Sequence, residues 1–115
     1  MANNYILTAG TQQFKHWKPD GTLLDTLDIS NFGNSTHSDS DGNLYYHDTS
    51  NDEIVQIDQN LNEQWRVPLY GYSINDIAED DNHIYVGATQ NDNVKKVIKS
   101  DGEVVWDVFA EVRGT

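Results

Sequence analysis

"KSDGEVVWDV" (99–108) reads as a Gly-containing turn flanked by β-prone runs, and it has a near-copy in "KPDGTLLDTL" (18–27). A looser echo is "QNLNEQWRV" (59–67). Glycine after aspartate supplies a positive φ at no steric cost, as a tight hairpin requires. One hairpin stated three times in 115 residues implies an internal repeat, and a repeat decides the architecture before any single element does.

The frame extends outward from these turns. "NLYYHDTSNDEIVQIDQNLNEQWRV" superimposes on "HIYVGATQNDNVKKVIKSDGEVVWDV", with Leu44 on Ile84, Tyr45 on Tyr85, Ile54 on Val94 and Ile57 on Val97, each 40 apart. Trp65 then falls on Trp106, 41 apart, because the later turn is one residue longer. The opening segment "NYILTAGTQQFKHWKPDGTLLDTL" fits the same frame, with Ile6 on Ile84 and Phe14 on Ile54 and Val94. Each unit holds a short β-prone run, a polar loop, a second run, the turn and a third run. A fourth run, "STHSDS" or "INDIAED", precedes the second and third units. No stretch has helical periodicity, so the chain is predicted to be all-β. A period of about 40 with only short strands inside it is the length of a four-stranded propeller blade.

The units resemble the short repeats of PQQ-type and NHL-type β-propellers, in which "DGxxxW"-like endings recur from blade to blade. That resemblance implies a shape rather than one activity, since those families include enzymes, lectins and interaction scaffolds. On this frame blade 1 occupies about 3–30 and lacks its inner strand, blade 2 about 31–71, blade 3 about 72–110, and a tail follows at 111–115. Three blades do not close a ring, because propellers need four to eight. An open fan exposes apolar blade faces and unpaired edges. Two copies joined head to tail make six blades, so the expected partner is the chain itself, as a homodimer with equivalent junctions. The competing expectation is a fragment of a longer propeller.

Lys plus Arg total 7 against 19 Asp plus Glu, a net charge of -12. Such a surface repels phosphate backbones and anionic lipid, so neither nucleic acid nor membrane is an expected partner. Cysteine is absent, which removes disulfide and thiolate chemistry. The opening "MANNYILTAG" has no basic region followed by an apolar core, and no stretch approaches the ~20 apolar residues of a membrane span. The localisation expected by default is cytoplasmic.

Chemistry-bearing groups are sparse. No "GxSxG" elbow surrounds a serine, no carboxylate pair stands apart in an apolar setting, and no basic cluster is present to hold an anionic cofactor. The chain is therefore expected not to be an enzyme and to carry no cofactor. His16, His37, His47 and His83 show no metal-ligand spacing, so no metal site is assigned. "SDSDGN" (38–43) offers Asp39, Asp41 and Asn43 as calcium oxygens, but its glycine comes too early for the EF-hand pattern and an ordinary turn explains it equally. Trp65 and Trp106 suit either packing between blades or stacking on a sugar face.

The loops "SNFGNS" (30–35) and "LYGYS" (69–73) are expected to rim one end of the ring. They bring Asn34, Tyr70 and Tyr72, amide and phenol groups matched to hydroxyl-rich ligands. His37, set on Ile77 in the repeat frame, joins them as a channel-facing candidate. The expectation is a non-catalytic, lectin-like binding module for a glycan or other polar small ligand. The alternative is an acidic scaffold that recruits a protein.

Overall fold

A computed structural model describes residues 6–10, 13–29, 32–69, 76–88 and 93–109. Every regular element in these residues is a strand. Strands β1 (Ile6–Gly10), β2 (Gln13–Trp17) and β3 (Leu23–Asp28) form one sheet in the order β1-β2-β3. Strands β4 (Phe32–Ser38), β5 (Leu44–Asp48), β6 (Glu53–Ile57) and β7 (Glu63–Pro68) form a second, in chain order. Strands β8 (Asp76–Glu79), β9 (His83–Ala88), β10 (Asn93–Ile98) and β11 (Val104–Phe109) form the third, again in chain order. All neighbours are antiparallel, the up-and-down meander of a blade.

The turns explain both the strand ends and much of the acidity. Asp20, Asp39, Asp48, Asp58, Asp80 and Asp101 each use a side-chain oxygen to accept main-chain N–H groups two to four residues onward. A short carboxylate does this readily because its reach matches the turn. Six aspartates are thus structural parts of hairpins. The last residue of the outer hairpin loop has positive φ in all three blades: Gly21 (94°), Leu61 (67°) and Gly102 (78°).

The middle blade is apolar on both faces. Along β6, Ile54 belongs to a core with Tyr45, Trp65, Val67 and the third blade's Ile77, Ile84, Val86 and Val97. Its neighbours Val55 and Ile57 belong to a separate core with Phe14, Leu44, Tyr46 and Leu61, against which Leu27 and Ile29 of the first blade pack. A strand buried on both sides loses the simple in-out alternation, and "EIVQI" is such a run. Each fully buried Ile or Val contributes about 1.5–3 kcal/mol. The three blades therefore fan out around two seams, with inner strands β4 and β8 in contact and overall extents of 52 × 29 × 20 Å. This is a partial β-propeller.

The register corrects one expectation. His37 pairs with Tyr45, and the residue pairing with Tyr85 is Ala78, not Ile77. The slip arises in the turn before β5. Asp39 N bonds the carbonyl of Asn43, whereas the matching Asp80 N bonds the carbonyl of His83, one residue fewer. A 40-residue offset after the turn is thus 41 before it. The shorter turn also dispenses with the positive-φ glycine that its longer counterpart has at Gly42 (92°).

Candidate functional site: a polar cleft over the seam of two blades

The seam between the second and third blades is closed by a chain of polar contacts. The Lys99 carbonyl, in the outer turn of blade 3, accepts from Trp65 Nε1 (2.8 Å) and Gln56 Nε2 (2.9 Å) of blade 2. Gln56 Nε2 also donates to the Tyr45 hydroxyl (2.8 Å), which itself donates to Asp39 Oδ2 (2.6 Å). Lys99 Nζ donates to Glu79 Oε2 at 2.8 Å, and Glu79 Oε1 stands 2.8 Å from His37 Nε2. A carboxylate only accepts, so that nitrogen carries the proton. The hydrogen bond from Lys99 holds the Glu79 carboxyl below its ordinary range against the effect of burial, with His37 assisting. Burial, then the contact with Asp39, pushes the Tyr45 hydroxyl well above its usual value.

An open cleft of about 540 Å³ lies beside this network. Asn43, Gln64, Asn82 and Ser100 line it together with the carboxylates Asp41 and Asp81, and buried Gln56 and Lys99 contribute to its wall. Asp41, Asn43, Asp81, Asn82, Lys99 and Ser100 come from the 39–43 and 80–83 turns and the outer hairpin of blade 3, whose hydrogen bonds fix them. Gln56 and Gln64 come from β6 and β7 of blade 2. Amide, hydroxyl, carboxylate and imidazole groups make up most of its lining, and Ile98 adds an apolar side chain. That composition suits a ligand dense in hydroxyls or amines.

The sequence candidates are distributed unevenly about this cleft. His37 lies in the network at the seam, bonded to Glu79 of the neighbouring inner strand and stacked 6.3 Å from Tyr45. Asn34 lies in β4 between Phe32, which pairs with Asp48, and Thr36, which pairs with Tyr46. It is therefore nearer the end of the sheet away from the 39–43 turn. Tyr70 and Tyr72 fall outside the described residues. The cleft gathers residues that pattern reading passed over: Gln56, Gln64, Asn82 and Ser100. A signal for Asn82 did exist, since it directly follows the turn aspartates Asp80 and Asp81.

Two other sequence candidates have local explanations. In the 38–43 segment, Asp39 Oδ1 accepts the N–H groups of Asp41 and Asn43, and Oδ2 accepts from Asn43 Nδ2 and the Tyr45 hydroxyl. Its lone pairs face donors, which is the pattern of a turn rather than of a cation ligand. His47 and His83 lie 3.0 Å from Asp52 and Asp80. Among the described residues, no three His, Asp or Glu side chains converge as metal ligands would. A smaller cleft of about 280 Å³ at the first seam contains Arg66. Its guanidinium is engaged by Asp48 (3.1 Å), Glu53 (2.6 Å) and Glu63 (2.7 Å), so an added anion would have to compete with three carboxylates.

No protein-family model matches the chain, and no curated protein matches it. Solved β-propeller structures do resemble it. KlHsv2 with loop 6CD replaced by a Gly-Ser linker aligns over 97% of this chain and 38% of its own, with TM-score 0.75 and 9% identity. AztD from Citrobacter koseri aligns over 93% of this chain and 32% of its own, with TM-score 0.74 and 14% identity. BamB from Moraxella catarrhalis aligns over 90% and 32%, with TM-score 0.66 and 13% identity. The chain thus has the fold of a propeller segment and spans about a third of the length of these proteins. Among the described residues, no helix is long and apolar enough to cross a membrane.

Proposed function

We propose that the chain is a non-catalytic, lectin-like binding module with PQQ- or NHL-type blades, and that a second copy completes its ring. Its ligand, a glycan or similar hydroxyl-rich small molecule, sits in the polar cleft between the second and third blades. The observation that carries this reading is the cleft wall of Asn43, Gln64, Asn82 and Ser100. Amides and a hydroxyl both donate and accept, as sugar hydroxyls require. Two copies present two equivalent clefts, so weak sites gain avidity. Asn34 of β4 is a secondary place for the same class of ligand, with Tyr70 and Tyr72 as the further candidates from the sequence.

A glycan array followed by saturation-transfer NMR tests the reading. Binding is expected to weaken about three- to tenfold in Gln64→Ala, the loss of roughly one neutral hydrogen bond. Failure of every saccharide and polyol to bind at millimolar concentration overturns it. Asp41 and Asp81 in the cleft and the net charge of -12 favour a second reading, an acidic scaffold for a basic segment. In that case a Lys/Arg-rich peptide binds in place of sugars, and rising salt releases it. A three-blade portion of a longer propeller is the remaining alternative, consistent with the one-third coverage of known propellers.

A further inference from the structure

The outer face of blade 3 repeats the aromatic arrangement of the face that blade 2 buries against blade 3, with Lys96, over the Tyr85 and Trp106 rings, in the place of Gln56. In blade 2, Tyr45 and Trp65 stack with ring centres 6.0 Å apart at 42°, and the Tyr45 hydroxyl is anchored on Asp39 at 2.6 Å. In blade 3, Tyr85 and Trp106 stack at 6.2 Å and 48°, and the Tyr85 hydroxyl is anchored on Asp80 at 2.6 Å. Gln56 pairs with Tyr45 and Trp65 as Lys96 pairs with Tyr85 and Trp106. The faces also differ in cover. Trp65 and Val67 are 9% and 5% exposed, whereas Trp106 and Val108 are 38% and 45% exposed.

What covers Trp65 is a glycine. A Cβ built on Gly102 would stand 2.7 Å from Trp65 Cγ and Cδ2, so the turn's main chain lies flat on the indole and only glycine fits. Positive φ alone does not demand glycine at this turn position, because Leu61 occupies it in blade 2 at 67°. There the preceding blade has Asp25 in the tryptophan's place, paired with His16 as Trp65 is with Gln56. Without an indole to cover, a buried leucine serves. Glycine thus accompanies tryptophan across a seam, and leucine accompanies its lack.

Two half-pairs are left over. Trp106 has no turn upon it. Gly21, in "KPDG", shares the Asp-Gly pair and positive φ of Gly102 in "KSDG", in a hairpin one residue shorter. Gly21 N bonds the carbonyl of Lys18, three residues back, where Gly102 N bonds that of Ile98, four back. A Cβ on Gly21 would meet nothing within 4 Å. We infer that the exposed Trp106 face of blade 3 seats the 18–21 turn of a second copy, with Gly21 lying on the Trp106 ring as Gly102 lies on Trp65. Trp106 Nε1 would donate to a main-chain carbonyl of that turn, as Trp65 Nε1 donates to Lys99. The inference rests on the ring being completed by a second copy, and it names the contact that completes it.

The test is complementation in the 115-residue chain, read by native mass spectrometry and sedimentation, with circular dichroism as the check on folding. Trp106→Ala alters only a surface side chain, and Gly21→Val places a branched side chain where the indole would lie. Each variant alone is expected to associate at least tenfold more weakly than the wild type. Mixed together they are expected to form a one-to-one dimer, because the valine variant's intact Trp106 meets the alanine variant's intact Gly21. If both variants dimerise like the wild type, or the mixture fails to associate, the contact is wrong although the ring reading survives. If the wild type is itself a monomer at high concentration, the ring reading fails and the occupant of the face is something else, such as a further blade of a longer chain.

Discussion

A methyl group on Gly102 would collide with the five-membered ring of Trp65, and the left-handed backbone would add its own penalty. Left-handed geometry costs a side-chain-bearing residue about 1–2 kcal/mol, and overpacking about 1–3 kcal/mol. Gly102→Ala is therefore expected to lose roughly 2–4 kcal/mol, read as a lower urea midpoint at unchanged slope. A shift below half a kilocalorie would show that the turn simply moves aside. The Tyr45 hydroxyl makes a similar argument in polar terms. It links Asp39 to Gln56 inside the seam, so Tyr45→Phe leaves a carboxylate oxygen and an amide short of a partner, costing about 1.5–3 kcal/mol.

The hairpins make stability depend on acid pH. Hydrogen bonds from Thr22 hold the Asp20 carboxyl below its usual range, and those from Tyr85 and Asn82 do the same for Asp80. The Arg66 guanidinium lowers Glu63. Lys99 and His37 lower Glu79. At Asp48, burial opposes the shift, yet Asn51 and Arg66 outweigh it. In every case the folded protein holds its protons less tightly than the unfolded chain, whose carboxyls titrate near 3.8 and 4.5. Their contribution is complete above that range and is lost as pH falls through it toward the depressed folded values. The melting midpoint is thus expected to vary little from pH 8 to 5 and to drop steeply below about 4. A midpoint maintained to pH 3 would refute this. At the alkaline end, burial pushes the Tyr46 hydroxyl up to about 12. Its stabilisation is present below 10 and fades as pH climbs toward 12. A phenolate absorbance titration of Tyr46→Phe against wild type locates that step.

For the whole molecule, the middle blade carries both cores, and adjacent residues of one strand serve different seams. Ile54→Ala and Val55→Ala are each expected to cost about 2–4 kcal/mol, yet to loosen opposite neighbours. Hydrogen exchange should rise in β8–β11 for Ile54→Ala and in β1–β3 for Val55→Ala. Equal deprotection of both outer blades in each variant would mean that the fan opens as a single unit.

The repeat frame, the all-β class and the blade length were present in the residues themselves. Ile54 and Val94, or Trp65 and Trp106, mark positions that the ladders later show to be equivalent, because strand period and hairpin chemistry are local and leave their mark in order and spacing. The register before β5 was not legible, since one residue in a turn moves His37 from the level of Ile77 to that of Ala78 while leaving the downstream match intact. The cleft was not legible either, because Asn43 and Asn82 come from turns of different blades and Gln56 and Gln64 from β6 and β7, groups that only the seam brings together. Most telling are the two tryptophans, which read alike in sequence and stack alike on their tyrosines. One is covered and the other open, because burial belongs to whatever packs on a face and not to the strand that bears it.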